Sequence, residues 1–308
     1  MRLPALSALI FLSLTAAVCA EDKPWCVPER EFGHLERLNV GDPWFQAYSV
    51  GSGVYLLHEP QQWELVSSYL IVGSERALLF DSGLGVGDIR AVVGRITSLP
   101  VVVVNSHTHF DHVGGNVDFQ TVWNVDNDYS KRSARGEMEP VLGAYARETL
   151  DPARLCRSLP AGVRSKPEYR LRPWHVSHHV RDAEVIRLGG RELIVIKAPG
   201  HSPDSLVLYD PKNGFLFTGD TFYRGPIYVW MPGADVAAYE RSIQKLVRLV
   251  PRLKLLLPGH GPPTATPGDL RDVASALEQV RTGAVEAERS EGNLEYRFEH
   301  FTLVMRSP

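Results

Sequence analysis

Between residues 107 and 112 the chain reads His107-Thr108-His109-Phe110-Asp111-His112, three imidazoles and a carboxylate within six residues. On extended backbone, residues two apart project to the same side about 6.6 Å apart. His107 and His109 can therefore converge on one cation through bonds of about 2.0–2.1 Å. Asp111 and His112 fall on the next turn, where a different cation can sit, and Gly114-Gly115 behind them lets the backbone bend sharply. Four donors exceed what a single open tetrahedral site requires. Imidazole-rich sets favour zinc or iron over magnesium or calcium. Two such ions about 3.5–4 Å apart can share a water, lower its pKa towards neutrality and polarise a carbonyl. That chemistry needs no serine or cysteine nucleophile, and Gly-x-Ser-x-Gly is absent from the chain.

Three further candidates follow in glycine-containing loops, each directly after an apolar run: Pro199-Gly200-His201, Thr218-Gly219-Asp220 and Pro258-Gly259-His260. Singly, a Gly-His or Gly-Asp pair reads as a turn. Three of them at strand ends, after the histidine cluster, read as the rest of a ligand set, held where rigid scaffold meets solvent.

In this order and spacing the sequence resembles the metallo-β-lactamase-fold hydrolases, over nearly all of the chain beyond its N-terminal segment. The resemblance implies an α/β fold, a four-layer αβ/βα sandwich of two β-sheets with external helices and the metals at the sheet edge. It further implies His107, His109 and His201 on one ion, Asp111, His112 and His260 on the second, and Asp220 bridging them. The expected cofactor is two Zn2+ per chain, with Fe or Mn as other occupants. Asp81, in Asp81-Ser82-Gly83, matches the family's Asp-Thr-Gly element and would orient a ligand histidine. True β-lactamases of the fold usually carry Cys or Ser near the bridging position. With Asp220 and His112 both present, the set is more similar to the thioesterase, glyoxalase II and lactonase branches. Tyr223, three residues after Asp220, has a spacing similar to the lactonases, where such a Tyr contacts the scissile carbonyl oxygen; a loop aromatic packed on its surroundings is the other reading. Asp111 would orient or shuttle the proton.

The expected function is hydrolysis of a carboxylic ester, thioester, lactone or related acyl bond in a small-molecule substrate, by a hydroxide activated at a dinuclear zinc site. A β-lactamase-type amide hydrolase and a non-catalytic metal-binding scaffold of the same fold are the alternatives.

The elements that must position these residues are legible as periodicity. Strand-like runs occupy 46–57, 68–72 and 77–80, the last two forming a hairpin around Gly73-Ser74-Glu75-Arg76. Helical spacing covers 88–99 before Pro100, and the run Val101 to Val104 reads as a strand buried on both faces. From 129 to 181 the pattern becomes polar, Arg-rich and Pro-punctuated, an irregular insert with one helical candidate at 138–150. Strand signals resume at 184–186, 192–197, 205–209 and 214–218. A helix capped by Asp235 runs to about 250, a strand covers 254–257, a helix 269–288 and a final strand 296–305. Strands followed by a helix, twice over, suit two sheets packed face to face with helices outside. The aromatic segment 224–232 is either an acyl or aryl pocket wall or ordinary core. The run Trp174 to His179 reads as a surface or pocket-rim loop rather than a further metal site, because adjacent His178 and His179 face apart. Arg164, Lys166, Arg170 and Arg172 either meet an anionic substrate or form a solvated face.

The chain has 308 residues, 44% hydrophobic and 22% charged, an ordinary globular composition. Its net charge of -3 gives no basic excess for nucleic acid. Met1-Arg2, an apolar stretch from Ala5 to Val18 and Val18-Cys19-Ala20 have the plan of a secretory signal peptide at 1–20. Residues 21–308 are then a single hydrolase domain, secreted or periplasmic, without an integral membrane segment. Its two cysteines, Cys26 and Cys156, allow one disulfide or two separate thiols. The oligomeric state is not encoded in any pattern.

Overall fold

The structure is a computed structural model that describes residues 23–26, 30–159, 161 and 169–307. The leader expected at 1–20 and the basic pair Arg164 and Lys166 lie outside the described residues. Strands β1 (Glu36–Leu38), β2 (Gln46–Gly51), β3 (Val54–His58), β4 (Ser67–Val72), β5 (Ala77–Phe80), β6 (Val101–Val104), β7 (Val122–Val125) and β8 (His178–Val180) form one sheet in chain order. Its joints are antiparallel up to β5 and parallel from β5 to β8. Then come β9 (Val185–Arg187), β10 (Glu192–Lys197), β11 (Leu206–Asp210), β12 (Phe215–Gly219), β13 (Pro226–Val229) and β14 (Leu255–Pro258). All of these but β13 form a second sheet, in the order β14-β12-β11-β10-β9. A third sheet joins β13 to β15 (Glu288–Ser290), β16 (Asn293–Arg297) and β17 (Thr302–Arg306). The helices are α1 (Ile89–Ile96), α2 (Phe110–Val113), α3 (Asp128–Ala134), α4 (Pro140–Thr149), α5 (Val236–Val247) and α6 (Asp269–Thr282).

Alternation of side chains along each strand builds the four layers. Leu56, Ile71, Leu78, Val102 and Val104 of the first sheet meet Leu193, Val195, Leu208, Phe217 and Leu257 of the second in a shared core. Their chain neighbours Leu57, Leu70, Leu79 and Val103 point outward, into a cluster with Ile89 and Val92 of α1 and Ala146 of α4. On the far side, Ile196, Val207, Leu216 and Leu256 join Tyr239 and Ile243 of α5 and Leu270 and Val273 of α6. The expected αβ/βα sandwich is therefore present. Asp88 and Asp235 cap their helices by accepting the Ala91 and Ala238 amides.

The structure corrects three sequence readings. The helix expected over 269–288 ends at Thr282, because Gly283 takes the left-handed conformation at φ 70 and closes it. The final strand expected at 296–305 is two strands, β16 and β17, paired antiparallel through a turn at 298–301. The insert is also less irregular than its sequence: it contributes α4 and most of α3, and its Leu142, Leu155, Leu171 and Trp174 pack into the first sheet's outer core. Among the described residues no helix is long and apolar enough to cross a membrane.

The two large sheets are stitched at one edge. Leu206 N donates to Ser106 O at 2.7 Å, Ser67 N to Gly259 O at 2.8 Å, and the Tyr69 hydroxyl to Pro258 O at 2.8 Å. Every loop carrying a candidate ligand starts from this seam.

Candidate metal centre

Four strands end at the centre. The β6 loop delivers His107 and His109, and α2, directly behind it, delivers Asp111 and His112. The loops after β10, β12 and β14 deliver His201, Asp220 and His260. The approach is close enough to require glycine. At Gly219, whose φ is +50, a Cβ would lie 2.4 Å from the Ser106 Cβ. At Gly259 a Cβ would lie 2.9 Å from Asp220 Oδ1. All seven expected ligands are brought together and buried.

They fall into two groups that share one carboxylate. His107, His109 and His201 form the first, with His109 Nδ1 and His201 Nε2 3.1 Å apart. Asp111, His112 and His260 form the second. Asp220 reaches both: Oδ1 lies 3.1 Å from His112 Nε2 and 3.1 Å from His260 Nε2, and Oδ2 lies 3.6 Å from His201 Nε2. In the second group, His112 Nε2 and His260 Nε2 are 3.2 Å apart, and each is 3.3 Å from Asp111 Oδ2.

The imidazoles are fixed from outside. His107 Nδ1 meets Ser106 Oγ at 3.0 Å, and His109 Nε2 meets the Tyr129 hydroxyl at 2.9 Å. His112 Nδ1 donates to Asp81 Oδ2 at 2.9 Å, and the other Asp81 oxygen accepts the Ser106 amide at 2.7 Å. Asp81 thus orients His112, one of the expected ligands. His201 Nδ1 donates to Tyr228 O at 2.7 Å, and His260 Nδ1 to Glu64 O at 2.6 Å. Each ring spends one nitrogen on the scaffold and turns the other inward, which sets its tautomer.

The inward atoms fit a pair of cations. Tetrahedral bonds of about 2.0 Å put donor atoms about 3.3 Å apart, and the spacings in the second group run from 3.1 to 3.3 Å. His107 Nε2 and Asp220 Oδ1 are buried without a hydrogen-bond partner among the described residues, although Asp220 Oδ1 has two imidazole nitrogens at 3.1 Å. Those contacts have the distance of hydrogen bonds without their direction, as expected of donors aimed at a common point between them. Charge follows the same division. Burial, with His112 and His109 nearby, holds His107 well below the ordinary imidazole range. Burial and neighbouring His201 bring His109 to about 3. Burial also opposes charge on His112 and His260, but the surrounding Asp111 and Asp220, with Asp81 beside His112, outweigh it and hold both well above that range. Asp111 and Asp220 thus concentrate negative charge around the second group, where a divalent cation would supply the balancing positive charge.

Tyr223 is near but differently engaged. Its ring lies 5.1 Å from that of His260, it is buried, and its hydroxyl donates to the Pro226 carbonyl, so it is not left open towards a substrate carbonyl. The run from Trp174 to His179 is not a loop throughout: Trp174 is buried in the first sheet's outer core and His178 and His179 open β8, while its histidines, all exposed, join neither donor group and His178 Nε2 lies 2.7 Å from Glu184. Arg170 is exposed, and Arg172 makes a surface pair with Asp118 at 3.3 Å. Sequence reasoning missed Ser106, Tyr129 and the two backbone acceptors. It also missed Asp204, which accepts from Thr108 at 2.6 Å and from Ser202 at 2.7 Å and so braces the His109 loop against the His201 loop. An Asp only three residues after His201, in the same loop, was the available signal.

Residues 62–286 match the family model described as the metallo-beta-lactamase superfamily. The Gallus gallus protein named acyl-coenzyme A thioesterase MBLAC2 is 32% identical over 231 residues, covering 70% of this chain and 80% of that protein. Its Homo sapiens counterpart is 29% identical over 234 residues, covering 70% and 81%. The solved structure of a metallo-beta-lactamase family protein from Thermus thermophilus aligns with a TM-score of 0.53 at 21% identity, covering 77% of this chain and 82% of that one. This last likeness is one of fold.

Proposed function

The chain belongs to the metallo-beta-lactamase superfamily and is a metallo-hydrolase of that family, and from that premise we propose that it cleaves thioesters and related carboxylic esters of small acyl substrates at a dinuclear zinc centre. The observation that carries the reading is the pair of donor groups joined by Asp220. The relatives named as acyl-coenzyme A thioesterases support the choice of thioester. His107, His109 and His201 with Asp220 Oδ2 would hold one ion, and Asp111, His112 and His260 with Asp220 Oδ1 the other; iron or manganese suits the same atoms. Bound there, two zinc ions supply Lewis acidity, lowering the pKa of water and drawing charge from an acyl carbonyl.

The protein's own part is placement and proton handling. Ser106, Tyr129, Asp81 and the carbonyls of Tyr228 and Glu64 keep the five imidazoles in one tautomer. Asp111 presents Oδ2 to His112 and His260. Its other oxygen takes the proton released by the attacking water. The water oxygen ends on the acyl carbon, the acyl–sulfur bond breaks, and the proton passes to the departing thiolate. Tyr223 backs the His260 ring, and its hydroxyl meets an acyl oxygen only after leaving Pro226.

The same proposal includes a cleaved leader at 1–20, one hydrolase domain over 21–308 and a secreted or periplasmic location. The Cys26–Cys156 disulfide supports that location, since such bonds persist in oxidising compartments. The test is zinc analysis together with a panel of thioester, ester, lactone and nitrocefin-like lactam substrates, run on zinc-loaded and chelated protein. Close to two zinc ions per chain, with thioester and ester cleavage abolished by chelation and restored by zinc, is the expected result. Cleavage that survives stripping overturns the proposal. Two bound zinc ions without hydrolysis identify a scaffold, and a lactam preference identifies a β-lactamase.

A further inference from the structure

We propose that Trp63, Tyr145, Tyr228 and Trp230 form the acyl-recognition wall of the centre and select uncharged apolar or aryl acyl groups, an assignment that rests on the acyl-hydrolase reading above. The four rings come from three separate parts of the chain. Trp63 lies in the loop between β3 and β4, Tyr145 on α4 of the insert, and Tyr228 and Trp230 on and just beyond β13. Tyr145 is the hub: its ring centroid is 6.0 Å from Trp63, 6.4 Å from Tyr228 and 6.3 Å from Trp230.

Two backbone contacts tie the wall to the centre. The Tyr228 carbonyl holds His201, and the carbonyl of Glu64, next in the chain to Trp63, holds His260. The wall therefore spans from the first donor group to the second, with Tyr145 crossing between them. Ordinary core packing does not describe it. On β13, Ile227 and Val229 are the buried side chains, while Tyr228 between them and Trp230 beyond take the opposite face and remain half-buried, like Trp63 and Tyr145. The indole N–H groups of Trp63 and Trp230 are shielded from water and have no hydrogen-bond partner among the described residues.

Charge narrows the ligand class. The carboxyls bearing on the Tyr145 hydroxyl are Glu64, Glu291 and Glu148, and those bearing on Tyr228 include Glu64, Glu295 and Glu291, with Glu64 itself pushed up to about 8 by burial. Glu148 is paired with Arg154 at 2.6 Å and Glu295 with Arg297 at 2.9 Å. The Glu64 carboxyl meets the Thr149 hydroxyl at 3.5 Å, one turn along α4 from Tyr145. An acyl group bearing its own carboxylate would have to desolvate that charge against four aromatic faces, whereas an alkyl or aryl group packs on them.

The test uses N-acetylcysteamine thioesters, which keep the leaving group small and neutral, with acetyl, butyryl, octanoyl, phenylacetyl and succinyl as acyl groups. The expected kcat/KM for octanoyl and phenylacetyl is at least about tenfold above acetyl, with succinyl below butyryl. Tyr145→Ala should shrink the octanoyl-to-acetyl ratio to within about threefold at unchanged zinc content, and Tyr145→Phe should keep it. Trp63→Ala, on the other side of the wall, gives the same reading if Tyr145→Ala does not fold. Titration with uncharged, uncleavable phenylacetamide, followed by tryptophan fluorescence, separates the two proposals. Saturable binding sensitive to Tyr145→Ala, without any thioester hydrolysis, would leave the wall standing and sink the reaction. Thioester hydrolysis with no acyl preference, or with a preference untouched by both alanine variants, would overturn the wall.

Discussion

A metal-binding histidine is only as good as the partner on its other nitrogen. At His109 that partner is the hydroxyl of Tyr129, contributed by α3 and buried beside Gly233 and Pro203. Tyr129→Phe keeps the ring in place and removes the acceptor for His109 Nε2. The expected outcome is zinc binding weakened by about 10–100-fold, the usual cost of losing such a partner. Competition against a chromophoric chelator reads it directly, and an unchanged affinity would show that Tyr129 only packs. The seven candidate ligands were legible as one set in the sequence because turn chemistry alone does not place imidazoles and carboxylates in one glycine loop after another at strand ends. Their supports were not. Any residue can offer a carbonyl, so Glu64 and Tyr228 carry no side-chain signal for holding His260 and His201. Tyr129 is 20 residues from its histidine, linked to it only by folding. For Tyr223 the sequence indicated the neighbourhood correctly, while the turn to Pro226 decides where its hydroxyl goes.

At the scale of elements, continuous apolar runs made the central strands readable, because each is buried on both faces with different partners. That signal failed where strands are short or half-exposed. β13 lies in a stretch whose aromatic residues suggested a pocket wall or core, and β15 starts at Glu288, the residue at which the expected helix was to end. β3 also carries a group that periodicity cannot interpret. His58, at its end, is buried against Phe32 with Nδ1 3.1 Å from Ser67 Oγ and Nε2 without a partner among the described residues, and burial brings its pKa down to about 3. The unfolded chain binds this proton near pH 6.5 and the folded chain does not, so stability falls as pH drops from about 6.5 towards 3. Between about pH 8 and pH 5 the loss from this residue is about 2 kcal/mol. His58→Asn keeps a polar group near Ser67 and removes the titration. Relative to wild type it should gain about that amount between the two pH values, in urea unfolding of the zinc-loaded proteins. Neighbouring Glu59, pushed up to about 7 by burial, acts in the opposite direction but is common to both proteins. Parallel stability–pH curves would show that His58 is charged in the fold.

At the scale of the whole molecule, one covalent link spans most of the first sheet. Cys26 and Cys156 are 130 residues apart in sequence, and their bridge encloses β1 to β7 and α1 to α4. The sequence offered the pair without deciding it, since connectivity depends on where the N-terminal arm comes to rest. The arm rests on the loop after α4: Lys23 Nζ donates to Leu155 O at 2.9 Å and Trp25 Nε1 to Arg154 O at 3.0 Å. That loop is in turn held to the segment before Trp63, where Cys156 N donates to Gln61 O at 2.9 Å. The bridge therefore fastens three pieces at once, the arm, the insert and the β3–β4 loop whose Glu64 carbonyl sets His260. Closing a loop of this length in the unfolded chain corresponds to about 5 kcal/mol by chain entropy, and measured effects usually reach about 2–4 kcal/mol. Replacing both cysteines by serine should lower unfolding free energy in urea by an amount in that range. Reduced wild-type protein should match the double variant, and oxidised wild type should show no free thiol by mass spectrometry. Equal urea midpoints for oxidised wild type and the double variant would mean that the noncovalent contacts of the arm already hold the insert, and two free thiols would remove the bridge altogether.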